Sequence, residues 1–398
     1  MNKKIALRQS FHLTTSQSPS QPPEQRTQEE IQRITDAVRR RFPVTQEYIR
    51  EGESLEFFLD EQKSVDTKSS FSSLVTELKA GSDTALLRRT MEHGLLLVVF
   101  KKPPYPKQRL KIPVILLLAT VISVLADGVI RVVYEGFGGP SIGISEGFRI
   151  SILYTVSLVG IIGIHELGHK VSTWYHKMNA SWPYFIPGIP GYLPTFGALI
   201  KSAEPPVNRD SLFDLGLSGP IAGLVATIVV SIIAVVSVSL IPLSSFSVPP
   251  QTGAVDYYTN LLVTLLKGPA SNGSVLGGNT FTLLYLAYSL GFFITFLNLF
   301  PAWQLDGGHI ANSLVSPKVH RYLTYLSVLA MFYIQLWFMA LLILFMSNLA
   351  PSLRPLDDVS PLSFTRKILF VLTWILSALI YIFAIYNNAF FNLQPLFG

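Results

Sequence analysis

The sequence predicts a mainly α-helical, polytopic membrane protein with about six transmembrane helices, a membrane-embedded β-hairpin and a small N-terminal α+β soluble domain. Three observations support this fold class. Only 14% of the 398 residues are charged, whereas soluble proteins usually carry about 25%. Several apolar segments approach the roughly 20 residues that a membrane-spanning helix needs. A more polar N-terminal stretch, residues 1–103, precedes them.

The polar stretch is predicted to contain two parts. Residues 1–27 are rich in Ser, Gln, Thr and Pro and lack the continuous apolar core of a signal peptide, so we predict a disordered tail. A plastid transit peptide is the alternative, because this stretch is poor in acidic residues and rich in serine. Residues 28–103 are predicted to form the small cytosolic α+β domain, and residues 104–398 the transmembrane domain.

The α+β domain is predicted from local periodicity. Ile31, Ile34 and Val38 recur at helical spacing. A second helix is expected over residues 71–78, with strands at residues 55–59, 86–87 and 95–100. We find no catalytic constellation in this domain, and both a regulatory, substrate-handling role and a folded tether fit it.

The overall composition limits the possible chemistry. The chain contains no cysteine, so disulfides and thiolate metal ligands are excluded, and any metal must be held by His, Asp or Glu. The net charge of +6 fits basic cytoplasmic loops better than nucleic-acid binding, because no dense basic run is present.

The membrane helices are predicted from the apolar runs that follow a basic linker, residues 101–111. They cover residues 112–134, 150–175, 210–240, 280–300, 319–346 and 365–386. Asp127 and Arg131 lie four residues apart in the first helix, so we predict a mutual ion pair. The basic linker indicates a cytoplasmic start. Six spans would return the chain to the cytoplasm, yet Arg366 and Lys367 would then open the last helix on the outer side, against the positive-inside trend.

The second predicted membrane helix contains the sequence HELGH, in which His165, Glu166 and His169 interrupt an apolar run. Residues four apart share a helix face, so the two imidazoles can bind one ion. Ionisable groups inside a membrane segment are costly and usually functional. We therefore predict a zinc site, with Glu166 as the general base rather than a ligand.

Residues 182–201, WPYFIPGIPGYLPTFGALIK, are apolar but rich in Pro and Gly. Prolines at this frequency exclude an ordinary helix. Non-helical backbone at membrane depth is tolerated where protein buries it or where it lines a water-filled cavity. We predict a hairpin beside the metal site, with an interfacial loop as the alternative.

A second polar motif follows the fourth predicted membrane helix, in the segment NLFPAWQLDGGHI, residues 298–310. Pro301 breaks the helix, and Asp306 suits the third protein ligand that an open catalytic zinc site needs. Glu204, expected in water, and His176, near the cytosolic end of its helix, are weaker candidates. His309 remains a possible hydrogen-bonding neighbour of the ligands.

These two motifs, with an FGA sequence and a D-x-x-x-x-GP-x-x-G helix start between them, resemble the site-2 protease family of intramembrane zinc metalloproteases over residues 112–315. The resemblance implies the zinc ligands His165, His169 and Asp306 and the catalytic base Glu166. It also implies that Asn298 helps to hold the substrate backbone and that residues 182–201 are the family's membrane-embedded β-hairpin. The N-terminal domain lies outside the resemblance.

The expected function is the hydrolysis of peptide bonds in or near the transmembrane segments of membrane-protein substrates, as in regulated intramembrane proteolysis. The hairpin edge at Phe196 and Gly197 is expected to accept an unwound substrate strand by β-addition. The expected partners are these substrates and the lipid bilayer, without nucleic acid. Two rivals are a catalytically silent binding or chaperone homologue and a transporter with broken helices.

The expected location is the cell membrane of a prokaryote, with the N-terminus in the cytoplasm. A plastid membrane is the alternative, because residues 1–27 share the composition of transit peptides.

Overall fold

The structure, a computed structural model, describes residues 26–50, 54–60, 66–90, 94–102, 110–134, 143–239, 279–350 and 352–386. The chain divides into two units, Met1–Pro103 and Pro104–Gly398. Most of the predicted N-terminal tail, most of the basic linker and residues 240–278 lie outside the described residues.

The first unit is an antiparallel sheet packed against two helices. Its elements are α1 (Gln28–Arg39), β1 (Val44–Arg50), β2 (Ser54–Leu59), α2 (Thr67–Leu78), β3 (Asp83–Thr90) and β4 (Gly94–Lys101). The strand order is β1-β2-β4-β3. The side chains of Thr27 and Glu30 form a reciprocal capping box at the start of α1. Ile34, Phe71 and Leu97 are fully buried, which places the core between helices and sheet.

Strand β1 was not among the predicted elements of this unit. Its sequence VTQEYIR has little apolar alternation, and its residues from Thr45 to Ile49 are exposed. It forms the edge of the sheet and pairs only with β2 among the described strands. An edge strand needs no buried face to form, so periodicity did not reveal it.

The second unit is mainly helical. Its elements are α3 (Lys111–Val129), α4 (Ile144–Tyr175), β5 (Tyr184–Ile189), β6 (Leu193–Leu199), α5 (Arg209–Ser239), α6 (Asn279–Asn298), α7 (Asp306–Leu314), α8 (Pro317–Tyr333), α9 (Trp337–Leu349) and α10 (Phe364–Tyr386). Among the described residues, three helices are long and apolar enough to cross a membrane: Lys111–Tyr134, Ile144–Tyr175 and Arg209–Ala234. The count of six spans stays a prediction.

The predicted helix at residues 319–346 is wrong as a single element. The structure divides it into α8 and α9, and Gln335 adopts a positive φ of 67° at the break. The side chains of Trp303 and Asn312 donate to the carbonyl oxygens of Ala350 (2.8 Å) and Leu353 (2.6 Å). The chain after α9 therefore returns to the end of the bundle where α8 begins.

The length of α9 agrees with this return. Its 13 residues extend about 20 Å at 1.5 Å per residue, which is less than the roughly 30 Å hydrocarbon thickness. The two helices therefore form a returning pair rather than one continuous helix.

The start of α10 also corrects the predicted topology. Arg366 donates to Asp214 (2.7 Å) and Asp210 (3.0 Å) in the first turns of α5, and His176 at the end of α4 contacts the same Asp214 at 2.9 Å. Arg366 thus lies at the end of the bundle where α4 ends and α5 begins. Its predicted position at the opposite end of the bundle is wrong, because α8 and α9 return the chain to the end where α8 begins.

Residues 182–201 contain the strands β5 and β6, paired antiparallel with Tyr184 opposite Leu199 and Ile189 opposite Leu193. The pairing is irregular between Phe185 and Pro187, because prolines in both strands remove ladder donors. The hairpin packs against α3 and α4. Its depth in the bilayer stays a prediction.

Candidate metal centre

Two buried imidazoles lie on one face of α4. His165 and His169 are four residues apart, and their ring centroids are 5.0 Å apart. Only 4% of His165 and 9% of His169 are exposed. The Nε2 atoms are 3.3 Å apart, so the helix alone brings two nitrogen donors to one point, as the HELGH spacing predicts.

Glycines of α5 make room for these imidazoles. A methyl group added at Gly219 would overlap the ring of His169, and one added at Gly223 would lie 2.9 Å from Nδ1 of His165. Small residues four apart on a membrane helix usually allow another helix to approach closely. The structure shows that the approach is to the two histidine rings.

Asp306 reaches the histidines because the chain breaks between α6 and α7. After α6 ends at Asn298, Pro301 interrupts the helix and α7 begins at Asp306. Gly307 packs so closely on the carbonyl of Leu299 that any side chain would overlap it. The break and the glycine together turn the first residue of α7 back toward α4.

The carboxylate of Asp306 contacts both imidazoles. Its Oδ2 lies 3.2 Å from His165 Nε2, and its Oδ1 lies 3.3 Å from His169 Nε2. We call these three residues the His–Asp cluster. Asp306 is 9% exposed, so the cluster brings one carboxylate and two imidazoles together in a site almost closed to solvent.

The donor set of the His–Asp cluster fits zinc. Bonds of about 2.0–2.1 Å in a tetrahedral zinc site place ligand atoms about 3.3–3.4 Å apart. The two Nε2 atoms are 3.3 Å apart, and each has one Asp306 oxygen at 3.2–3.3 Å. Asp306 Oδ2 is buried and makes no hydrogen bond among the described atoms despite its proximity to His165. A cation between the three side chains would satisfy it.

The backbone sets the orientation of His169. Its Nδ1 lies 2.8 Å from the carbonyl oxygen of Leu215 on α5. A carbonyl only accepts, so Nδ1 carries the hydrogen in this contact and Nε2 keeps its lone pair for an ion.

Glu166 lies beside the cluster. Glu166 is 5% exposed, and the ligand atoms of His165, Glu166 and His169 all lie within 4.8 Å of one another. Two carboxylates are therefore near the histidines. Asp306 contacts both Nε2 atoms, which favours it over Glu166 as the ligand and leaves Glu166 available for proton transfer.

The weaker ligand candidates lie elsewhere or have other contacts. Glu204 is buried and accepts a hydrogen bond from Asn179 Nδ2 at 2.6 Å, so its predicted place in water is wrong. His176 contacts Asp214. His309 follows Asp306 by nearly one helical turn, and its Cβ packs against Gly216 of α5.

A cavity of about 410 Å³ opens beside the cluster. Its walls carry His165 and Glu166 together with the predicted substrate-binding residues Asn298, Phe196 and Gly197. Asn298 Nδ2 lies 3.2 Å from His165 Nε2. The structure thus brings the two motifs and the hairpin to one mostly apolar cavity.

The hairpin edge differs in one detail from the predicted free strand. The N–H of Gly197 donates to Thr195 Oγ1 at 3.0 Å, so this donor is already paired. Gly197 has a φ of 90°, a conformation that favours glycine. Half of Phe196 is exposed, and the edge still faces the cavity.

Sequence reasoning missed several contributors to the site. The carbonyl of Leu215 has no sequence signal, since every residue has a carbonyl group. Phe338 and Met339 of α9 line the cavity, and they were assigned to the middle of a single helix. Only the break between α8 and α9 brings them there.

Comparison with known proteins supports the same interpretation. Residues 153–345 match the model of peptidase family M50, a segment that begins in α4 and ends in α9. It therefore includes HELGH, the hairpin and the second motif.

Curated relatives are plant proteins. The chain is 27% identical over 179 residues to "Probable zinc metalloprotease EGY2, chloroplastic" of Oryza sativa subsp. indica, covering 42% of this chain and 30% of the relative. It is 30% identical over 161 residues to "Probable zinc metalloprotease EGY1, chloroplastic" of Arabidopsis thaliana, covering 38% and 27%. The matches thus span less than a third of each relative.

No solved structure matches the chain. The resemblance predicted from the two motifs is nevertheless confirmed by the family match and by the relatives. Over residues 153–345 the chain is therefore similar to peptidase family M50, the site-2 protease family.

Proposed function

We propose that this chain is an intramembrane zinc metalloprotease that hydrolyses peptide bonds in or near the transmembrane segments of membrane proteins. One observation carries the proposal. Two histidines of α4 and an aspartate of α7 converge within 3.2–3.3 Å, beside a mostly apolar cavity that His165 and Glu166 line. The family match and the names of the relatives support the zinc-dependent chemistry.

In this proposal His165, His169 and Asp306 hold the zinc ion. When bound, zinc polarises the scissile carbonyl and lowers the pKa of water to about 7. Leu215 keeps His169 in the tautomer that a ligand needs, through the 2.8 Å contact with Nδ1.

Glu166 acts as the general base and then as the general acid. It takes a proton from the attacking water and returns it to the leaving nitrogen, which general acid–base catalysis requires. Its position on the cavity wall, next to His165 in sequence, gives it access to both the water and the scissile bond.

The cavity would hold the substrate as an extended segment. A helical amide is protected by its own hydrogen bonds, so the substrate helix must unwind first. The edge of β6 near Phe196 and Gly197 would then pair with the substrate backbone, and the Asn298 amide would bind a backbone carbonyl. Pairing with Gly197 requires its N–H to exchange Thr195 Oγ1 for the substrate.

The remaining details follow from the same proposal. The partners are transmembrane substrates in a lipid bilayer, and the reaction is of the regulated intramembrane type. We propose a prokaryotic cell membrane with a cytoplasmic N-terminus. The relatives' names place those proteins in chloroplasts, which supports the alternative of a plastid membrane.

The test uses the purified full chain in detergent and in liposomes. We expect about one zinc ion per chain by elemental analysis, cleavage of a single-span membrane peptide, loss of cleavage with 1,10-phenanthroline, and recovery when zinc is restored. A zinc-loaded chain that binds this peptide without cleaving it would favour the silent binding homologue. Solute flux across the liposomes without cleavage would favour the transporter.

A further inference from the structure

The closed end of the hairpin is attached to α3. The hydroxyl of Ser123 shares its one hydrogen between the carbonyl oxygens of Gly188 (3.0 Å) and Pro194 (3.1 Å), one on each strand. Ser123 is 7% exposed. A single side chain thus joins both strands to the helix.

One turn further along α3, the carboxylate of Asp127 contacts the hairpin turn. Its Oδ1 accepts the backbone N–H of Gly191 at 2.8 Å. Its Oδ2 accepts from Arg131 Nε at 2.9 Å and from the Tyr154 hydroxyl at 3.0 Å. Arg131 in turn donates to the carbonyl of Tyr192 at 3.4 Å. The predicted ion pair between Asp127 and Arg131 is confirmed, but both of its members also bind the hairpin backbone.

This cluster is deeply buried. Asp127 is fully buried, and 5% of Arg131 is exposed, both within a helix apolar enough to cross a membrane. A buried ion pair by itself is weak evidence for added stability, and ionisable groups in membrane segments are usually functional. Arg131 also lies in a π-helical turn, Ile130–Tyr134, and such turns are frequent at functional sites.

The hairpin needs this support because its own pairing is poor. Pro187 and Pro194 have no N–H to donate, and the register shifts between Phe185 and Pro187. A two-stranded hairpin is marginally stable even with a complete ladder. Its opposite edge, with Phe196 and Gly197, faces the cavity that contains Glu166.

We propose that Ser123 and Asp127 are positioning residues that hold the hairpin at a set distance from Glu166, so that a substrate strand added to β6 presents its scissile bond to the general base. This inference rests on the proposed proteolytic function and adds to it the residues that set substrate position. Such placement matters because a shift of about 1 Å in a reacting group can lower a rate about 10²-fold.

The decisive variants change the hydrogen bonds between α3 and the hairpin without leaving a buried charge. Asp127→Leu with Arg131→Met removes both charges and the bond to Gly191, and hydrophobic replacement of a buried ion pair often preserves folding. Asp127→Asn with Arg131→Gln removes both charges but keeps an oxygen that can accept the Gly191 N–H. Ser123→Ala removes the two bonds to the strands alone. Tyr154→Phe removes a bond to the same carboxylate that does not involve the hairpin.

The measurements on each full-length variant are kcat and KM for a membrane-peptide substrate, zinc content, thermal stability, and hydrogen exchange of the hairpin amides. We expect the Leu/Met pair and Ser123→Ala to lower kcat/KM between about tenfold and 10²-fold, with normal zinc content and faster exchange at the hairpin. The Asn/Gln pair and Tyr154→Phe should stay within about threefold of the wild-type kcat/KM, since each keeps an oxygen at residue 127 that accepts the Gly191 N–H.

Two results would overturn the inference. One is a zinc-loaded, folded Leu/Met variant whose kcat/KM and hairpin exchange equal those of the wild type. The other is a loss of kcat/KM that follows thermal stability across all four variants, Tyr154→Phe included, which would indicate a merely structural cluster. In both cases the wild type cleaves and the proposed function stands. Absence of cleavage by the zinc-loaded wild type would instead refute the proposed function, and the inference with it.

Discussion

The His–Asp cluster and the hairpin face the same cavity, and each depends on a glycine for the opposite reason. At Gly219, beside the cluster, there is no space, because any added side chain would overlap the His169 ring. At Gly197, on the hairpin, an added methyl group would meet nothing within 4 Å, but the backbone has a φ of 90° that L-residues rarely adopt.

The difference shows that the cluster and the hairpin edge are positioned in two different ways. The cluster is positioned by close contact between helices, so its geometry has little freedom to change. The hairpin edge is open and is positioned by its backbone conformation and its attachment to α3. We therefore expect changes at the cluster to affect zinc binding and chemistry, and changes at the hairpin to affect substrate cleavage with zinc retained.

The largest effect is expected for Asp306→Ala. Loss of one of three protein ligands should reduce zinc from about one ion per chain to almost none and abolish cleavage. His309→Ala is the matched control on the same helix, and Glu204→Gln is a second buried control; both should retain zinc. Elemental analysis of the purified proteins is the measurement. A His309→Ala protein without zinc, beside a zinc-loaded Asp306→Ala protein, would show that the ligand assignment is wrong.

Glu166→Gln should separate metal binding from chemistry. Because Glu166 is assigned as base and not as ligand, zinc content should stay normal while the cleavage rate falls about 10²–10⁴-fold, the usual contribution of general acid–base catalysis. Zinc content and cleavage are measured on the same preparation. Full activity of this variant would refute the role of Glu166.

Gly219→Ala tests whether close packing between helices positions the metal ligands. The added methyl group would overlap His169, so the imidazole must move, and zinc affinity should fall about 10–100-fold, as when neighbours of metal ligands are changed. The measurement is a competition titration with a zinc chelator. Gly160→Ala on α4, where nothing lies within 4 Å of the added methyl, should bind zinc normally. Equal affinities in the two variants would mean that close packing does not position the ligand.

The smallest effect is expected at the hairpin. Gly197→Ala introduces backbone strain of order 1–3 kcal/mol, and Gly197→Pro also removes the N–H proposed to bind substrate. Both should keep zinc, and cleavage should fall more for Pro than for Ala, by about tenfold or more if a strand edge places the scissile bond. Cleavage rate, zinc content and thermal stability are compared in one preparation. Normal cleavage by a folded Gly197→Pro protein would favour the alternative of an interfacial loop.

Local features of the sequence determined much of the site. Helical periodicity puts His165 and His169 on one face wherever α4 lies, Pro301 must interrupt a helix, and the prolines of residues 182–201 exclude a helix there. Each conclusion depends only on neighbouring residues and the shape of the backbone. The helices that begin at residues 111, 209, 279 and 364 were predictable for the same reason, since their apolar runs are long and continuous.

Tertiary structure alone decided which surfaces meet. The return of α9 to the start of α8 placed Arg366 beside Asp214 and brought Phe338 into the cavity. The contacts of His169 with the Leu215 carbonyl and of Asp127 with the Gly191 N–H join side chains to backbone groups. Every residue type but proline carries both of these backbone groups, so the sequence holds no sign of which one a distant side chain will bind, and only the packing of α3, α4 and α5 selects it.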